Sequence, residues 1–370
     1  MKNTIIEEIK NTLEILKYDV ENLTISVSVP KNKKFGDLST NIAFILSKQI
    51  NKPTIEIANN IADKLKDSNI FKEINIANPG FINFKINPLA IVGNLQEIID
   101  KNNNYGKNKT YNHKTALVEF VSANPTGPLT VGHGRGAILG DILSNIFEWN
   151  GYKVQREYYY NNAGRQMRIL GESVRSRYSE IADKNKKVDF PENGYQGDYI
   201  KDIANQLHKK ENLSLDINDV NIFKDTAEKY IFEDINKTLK NLGITFDSFF
   251  NENSLYENKE IYKVIDELKS KKLIYEKEGA VWFEGTKVGR ENDRVLIKKT
   301  GEPTYRLPDM AYHINKLERG YDLCVDIFGA DHMDAYPDVL EVVKQLGHDQ
   351  TKIKVLIHQF ISILKDGKQV

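Results

Sequence analysis

The chain has 370 residues, so two or three domains are expected. Its 40% hydrophobic and 28% charged content is that of a globular protein with a sizeable core and excludes a largely disordered one. Fifty-two basic residues balance 52 acidic ones, so any nucleic-acid surface has to be a local patch, and the single Cys324 excludes a disulfide framework or a thiolate metal cluster.

A lone cysteine suits a reducing cytosol, and a cytoplasmic location is expected. Glu7 and Glu8 stand where a signal peptide would be apolar, and no apolar run approaches the roughly 20 residues of a membrane span.

In chain order, Ile5, Ile9, Leu13 and Leu16 share one face of a helix over 3–17. LTISVSVP reads as an alternating strand, and FGDLSTNIAFILSKQI as a helix capped near Asp37 or Ser39. Thr54 to Leu65 gives a third helix, and INIANPGFINFKI two strands around an Asn78, Pro79, Gly80 turn. Residues 1–100 therefore read as a small α+β domain, and the polar, basic 101–114 as a linker.

LVEFVSANPTGPLTVGHGRG, residues 117–136, follows: an apolar strand, a turn with Pro125, Gly127 and Pro128, then alternate glycines leading into a helix. This is how an α/β protein builds a phosphate site, with close backbone approach and unpaired helix N–H groups facing an anion. Ile138, Ile142 and Ile146 interleave with Leu139, Leu143 and Phe147 along that helix, which ends at Gly151. YKVQREYYY is a second strand, and the helix after it carries Arg165, Arg168, Arg175 and Arg177, on a solvated or a phosphate-facing surface. Residues 180–278 are charged and helical and read as an insertion; α/β alternation resumes over 279–370 with AVWFEG, RVLIKKTGEPTYR, a helix from Pro308 to Glu318, DLCVDIFG, a helix from about Asp334 to Leu346, and IKVLIHQF. The fold class is α/β, with 115–179 and 279–370 as the two halves of one Rossmann-like domain with a parallel sheet.

Gly132, Gly134, Gly136 and Ala137, with Glu157 downstream, also fit a dinucleotide fingerprint, which would make the protein a nicotinamide-dependent oxidoreductase. Ten residues with two prolines separate Val121 from Gly132, too long an approach for that turn. His133 stands where its ring can donate to a phosphate oxygen beside the helix N–H groups, or serve only as a cap. Glu119 interrupts an apolar strand and needs a ligand or an internal Lys or Arg partner. Tyr305 and Asp309 lie one helical turn apart, and two carboxylates with a phenol suit a guanidinium, unless Asp309 serves only as an acid at the helix N-terminus. Asp331 and His332 follow a strand at the sheet's carboxyl edge, but seven scattered histidines give no second ligand cluster, so no protein-bound metal is expected.

Taken together, these residues resemble arginyl-tRNA synthetase, a class I aminoacyl-tRNA synthetase family. EFVSANPTGPLTVGHGRGAILGD looks like the family's HIGH-motif region, and EYYYNNAGRQMRILGESV, GYQGDYIKDIA, PTYRLPDMAYHINKLERGYD and IFGADHMDAYP resemble further blocks in order. FGDLSTNIAF and NPGFINF look like its N-terminal, tRNA-contacting domain. The resemblance implies ATP-dependent activation of L-arginine and transfer to tRNA(Arg), with Mg2+ carried by ATP, a monomer, and no membrane partner. It implies catalytic roles for His133 and Thr130, ATP contacts at Pro125, Gly132, His133, Gly134 and Gly136, and arginine contacts at Glu119, Ser122, Asn124, Tyr305 and Asp309. Thr130 stands at the first histidine position of HIGH, and Asn162 where the family often has Asp. Ala330 to His332 lie where some members use Gln. LKDGKQV resembles the approach to the KMSKS loop, and no helical anticodon-binding domain follows it in this sequence, so the segment alone is expected to bind arginine or ATP but catalyse poorly. A non-catalytic tRNA-binding module is the remaining alternative.

Overall fold

A computed structural model describes residues 1–21, 23–182, 188–211, 215–359, 361 and 364–369. It forms two compact units, Met1–Gly106 and Lys107–Val370, and their boundary falls inside the expected linker 101–114.

The first unit holds α1 (Lys2–Ile15), β1 (Val27–Ser28), β2 (Leu38–Thr40), α2 (Ile42–Ile50), α3 (Thr54–Leu65), β3 (Phe71–Ala77), β4 (Phe81–Ile86) and α4 (Pro88–Lys101). The strands form an antiparallel sheet in the order β1-β2-β4-β3. Ile5, Ile9 and Leu13 of α1 bury their shared face against Ile57, Ile61 and Phe84, as the helical spacing requires. One expectation is corrected. Residues 38–40 do not belong to a helix capped near Asp37 or Ser39, because Asp37 Oδ2 accepts the Ile86 N–H (2.8 Å) and ties this segment to β4 as a strand. The helix begins at Ile42 instead. The strand expected over 23–30 is confined to Val27–Ser28, where it pairs with β2. Helix α4, not anticipated, starts on Pro88 with Asn87 capping the Leu89 N–H.

The second unit opens with β5 (Thr115–Glu119), α5 (Val131–Trp149), β6 (Lys153–Tyr160), α6 (Gly164–Ala182), α7 (Asp198–Glu211), α8 (Val220–Asn241) and β7 (Ser248–Asn251). It continues with α9 (Asn253–Glu257), α10 (Glu260–Ser270), a small antiparallel sheet of β8 (Ile274–Lys277), β9 (Ala280–Phe283) and β10 (Arg294–Ile297), then α11 (Arg306–Glu318), β11 (Leu323–Gly329), α12 (Tyr336–Gln345) and β12 (Ile353–His358). Phe360, the last residue of the expected final strand, lies outside the described residues.

The five-stranded sheet is parallel throughout, in the order β12-β11-β5-β6-β7. Strand β7 lies within 180–278 yet joins this sheet, pairing Glu157 with Ser248 through Tyr160 with Asn251. The chain builds outward from β5 to β7, then returns to the other side of β5 with β11 and β12. That reversal sets a switch point between β5 and β11, where an open α/β sheet leaves a crevice at its carboxyl edge. Both faces are covered: Val118 and Val325 pack towards α6 and α8, Leu117 and Cys324 towards α10, α11 and α12. Among the described residues no helix is long and apolar enough to cross a membrane.

Helix α5 crosses the chain leaving β5 closely enough that only glycine fits at the contact. A Cβ at Gly140 would lie 2.1 Å from Phe120 Cγ, and Phe120 is itself fully buried. Gly140→Ala should therefore force the ring to shift and destabilise the second unit by about 1–3 kcal/mol, read as a lower midpoint in urea unfolding followed by tryptophan fluorescence.

Candidate active site

A cleft of about 930 Å³ opens at the carboxyl edge of the parallel sheet, on the switch point. Glu119, Ser122 and Asn124 reach it from the end of β5, and Thr130, Gly132, His133 and Gly136 from the start of α5. Tyr305 and Asp309 reach it from the start of α11. Pro125 and Gly134 do not line it; Pro125 is buried, and a Cβ at Gly134 would meet nothing within 4 Å.

The exit from β5 is a tight, strained turn. Val121 and Ser122 have φ of 67° and 44°, left-handed values that a β-branched residue such as Val121 rarely adopts. The Ser122 N–H donates to the Phe120 carbonyl (2.9 Å) and its hydroxyl donates to Glu119 Oε1 (2.9 Å). This turn swings the chain up to Asn124, whose Oδ1 accepts the Asn161 N–H at 3.0 Å.

Helix α5 then opens with a capping box. The Thr130 side chain accepts the His133 N–H (3.4 Å), and His133 Nδ1 accepts the Thr130 N–H (3.0 Å). An accepting Nδ1 places the ring proton on Nε2, so a neutral His133 is a donor on its other edge. Thr130 thus fixes the tautomer of the histidine beside the helix N-terminus, a link that residue spacing alone did not show. A Cβ at Gly136 would come within 3.2 Å of His358 Nε2, so this glycine lets β12's last residue close against the helix. Glu157, the acid of the dinucleotide fingerprint, is turned away: both its oxygens are taken by Arg319 (2.6 and 2.7 Å), with Tyr312 and Ser248 adding one hydroxyl each. No lone pair is left to hold a ribose.

Helix α11 begins as the spacing requires. Tyr305 has helical φ and ψ and accepts the Asp309 N–H (3.4 Å), so the two residues stack one turn apart. Asp309 is half-buried, and among the described residues no hydrogen bond or ion pair reaches its carboxylate. Burial, against the opposing pull of His313 and His332 and with Glu119 adding to it, raises its pKa to about 6. Glu119 is compensated: Lys316 Nζ holds its Oε2, opposite the Ser122 hydroxyl on Oε1.

A further acid lines the cleft that the sequence reading did not single out. Glu252 follows β7 and accepts from Tyr159 Oη (2.6 Å) and Asn161 Nδ2 (2.7 Å), with no basic partner among the described residues. Burial pushes its pKa up, against the Tyr159 hydrogen bond, and Asp309 adds like-charge repulsion. Its position in a four-residue strand's tail within a charged stretch concealed it; the run SFFN ahead of it was the available signal. Asn162 points elsewhere, donating to Glu228 at 2.8 Å. His332 lines the cleft with its ring stacked on Phe328 (4.6 Å), while the side chain of Asp331 lies outside the description.

The arrangement is therefore a cleft with two chemistries: uncompensated carboxylates at one end, suited to a cation, and a helix N-terminus with a histidine donor at the other, suited to an anion.

Residues 3–86 match the family model described as the arginyl tRNA synthetase N terminal domain, and residues 94–370 the one described as tRNA synthetases class I (R), catalytic domain. The arginine–tRNA ligase of Desulfotalea psychrophila is 51% identical over 347 residues, covering 93% of this chain and 62% of that protein. That of Chlorobium phaeovibrioides is 48% identical over 353 residues, covering 94% and 64%. The chain thus spans somewhat less than two thirds of these relatives' length. Thermus thermophilus arginyl-tRNA synthetase superposes with a TM-score of 0.65 over 97% of this chain and 66% of its own, and at 19% identity it speaks for the fold alone. With both of its units matched in order, the chain belongs to the arginyl-tRNA synthetase family of class I synthetases.

Proposed function

We propose that this protein is an arginine–tRNA ligase that acts in the cytoplasm, activating L-arginine with Mg2+-bound ATP and transferring it to the terminal adenosine of tRNA(Arg). The observation that carries the reading is the pair Asp309 and Glu252, two part-buried carboxylates that no basic side chain hydrogen-bonds among the described residues, in the same cleft as a histidine-capped helix N-terminus. A guanidinium supplies the missing charge and up to five donors, and an ATP phosphate is the matching anion.

In this reading the guanidinium lies against Asp309 and Glu252 with Tyr305 beside it, and Ser122 and Asn124 hold the α-amino and carboxylate groups. One arginine carboxylate oxygen attacks the α-phosphorus. The bond to the bridging oxygen breaks, and pyrophosphate leaves with its electron pair. The first N–H groups of α5 and the Nε2–H of His133 stabilise charge on the phosphate oxygens, and no protein nucleophile is needed. A ribose hydroxyl of the tRNA's last adenosine then attacks the arginyl carbonyl carbon, the bond from that carbon to the phosphate oxygen breaks, and AMP leaves with the electron pair while the hydroxyl proton passes to its phosphate.

The test is arginine-dependent exchange of pyrophosphate into ATP in the presence of tRNA, with calorimetry of arginine and ATP binding to this chain. Binding of tRNA without any response to arginine would favour a non-catalytic RNA-binding module instead. His133→Ala should lower the exchange rate by about 10²–10³, the effect of losing one donor to developing charge, with arginine affinity unchanged.

Asp309 gives two linked expectations. Its carboxylate protonates as pH falls through about 6 while a guanidinium keeps its charge, so arginine affinity measured by calorimetry should drop by up to about tenfold between pH 8 and 5. The unliganded fold behaves oppositely. A carboxyl whose folded pKa is raised binds its proton more tightly folded than unfolded, so it costs stability as pH rises from about 4 to 6 and beyond. Asp309→Asn should remove that cost, at most about 3 kcal/mol, raising Tm at pH 8 while abolishing the arginine-induced thermal shift. An unchanged arginine response would sink the pocket assignment.

A further inference from the structure

Lys316 is fully buried in α11, yet it carries a charge, because two carboxylates surround it. Its Nζ is hydrogen bonded to Glu119 and to Asp326, and it lies 4.1 Å from the centroid of the Tyr312 ring. Burial alone would depress its pKa, but Asp326 and Glu119 outweigh that and raise it. Glu119 and Tyr312 both line the cleft, so the ammonium sits one side chain behind the cleft wall. Asp326 has a second partner in His313, whose Nε2 is 3.1 Å from its Oδ2 while Nδ1 is 2.7 Å from the Asp309 carbonyl. A ring facing an acceptor at both nitrogens is an imidazolium.

The basic side chains of α11 and its C-cap have thus sorted the acids around them. Glu119 and Asp326 are taken by Lys316 and His313, and Glu157 by Arg319. Asp309 and Glu252 are left over, on separate elements. We propose that Lys316 is a positioning residue that sets cation specificity: it holds the Glu119 carboxylate away from the ligand, so the acids left for a cation are Asp309 and Glu252 on separate elements, which a forked guanidinium can bridge and a single-point alkylammonium cannot. This rests on the arginine reading above. The physical basis is that a guanidinium spreads its charge and presents five donors in a fork, whereas an alkylammonium concentrates its charge at one point.

Calorimetric affinities for L-arginine, L-lysine and L-ornithine test this. The native protein should bind arginine at least a hundredfold more tightly than either amine. In Lys316→Met, Glu119 is released as a third carboxylate facing the cleft, and the arginine-to-lysine affinity ratio should fall at least tenfold, with lysine binding gained. A purely structural lysine would weaken both ligands together, and an unchanged ratio overturns the proposal. Removing one partner of a buried pair risks unfolding, so Lys316→Met/Asp326→Asn, which deletes one charge of each sign, is measured alongside with the same expected change in ratio.

Glu119→Gln probes the same point in a chain that keeps Lys316. A carboxylate held by Lys316 should contribute less than a free one, so the loss of arginine affinity should be several-fold smaller than in Asp309→Asn, where it is at least tenfold. Equal losses would mean that Glu119 grips the ligand directly, and the proposal fails. If the native protein binds no arginine at all, the function is misread; if it binds arginine but the ratio or the Glu119→Gln result disagrees, only the role of Lys316 is.

Discussion

The second unit depends on a buried polar seam between α11 and the parallel sheet. Asp309, Tyr312, His313, Lys316 and Arg319 fall at positions i, i+3, i+4, i+7 and i+10, so they share one face of the helix and its C-cap, and that face meets Glu119, Glu157 and Asp326 on three adjacent strands. An ordinary amphipathic helix would lay Leu or Val there. Desolvating so many charges is costly, and a buried ion pair is at best a weak source of stability compared with apolar packing of the same volume. What the seam supplies is register. Arg319 fits Glu157 through two parallel hydrogen bonds, and Lys316 fits between acids from β5 and β11, so α11 cannot slide along the sheet without stranding a charge.

That register fixes the cleft. With α11 pinned at its middle and its end, its first turn projects over the carboxyl edge of the sheet, carrying Tyr305 and Asp309 to the switch point between β5 and β11. Asp309 is the acid on this face whose carboxylate no base hydrogen-bonds among the described residues, and it is held part-buried by the groups on either side. The uncompensated charge at the site follows directly from compensation elsewhere on the same helix. Strain at Val121 and Ser122 has a related origin, because the chain must leave β5 sharply enough to bring Ser122 back onto Glu119 and still lead into α5.

The opposite wall is simpler. Thr130 and His133 satisfy each other across the first turn of α5 and leave the next backbone N–H groups directed at the cleft. Thr130 supplies the hydroxyl acceptor the turn needs, and it orients His133 by offering its own backbone N–H.

Sequence by itself determined the class of the fold and one wall of the site. The apolar strand, the proline-bearing turn and the alternate glycines of 117–136 are local features, and the chain has few other ways to arrange them. Tyr305 and Asp309 were legible for the same reason, since four residues at the start of a helix is a distance along one element. Glu252 was not, because it enters the site through a four-residue strand too short to show a period and more than 130 residues from Glu119 in the chain. The sorting of acids was not either. Whether Glu119 or Asp309 meets a base depends on which residues of α11 lie over which strands, and only the packing of helix on sheet decides that. Charge balance of 52 against 52 is visible in the sequence, but where it fails locally is a property of the tertiary structure.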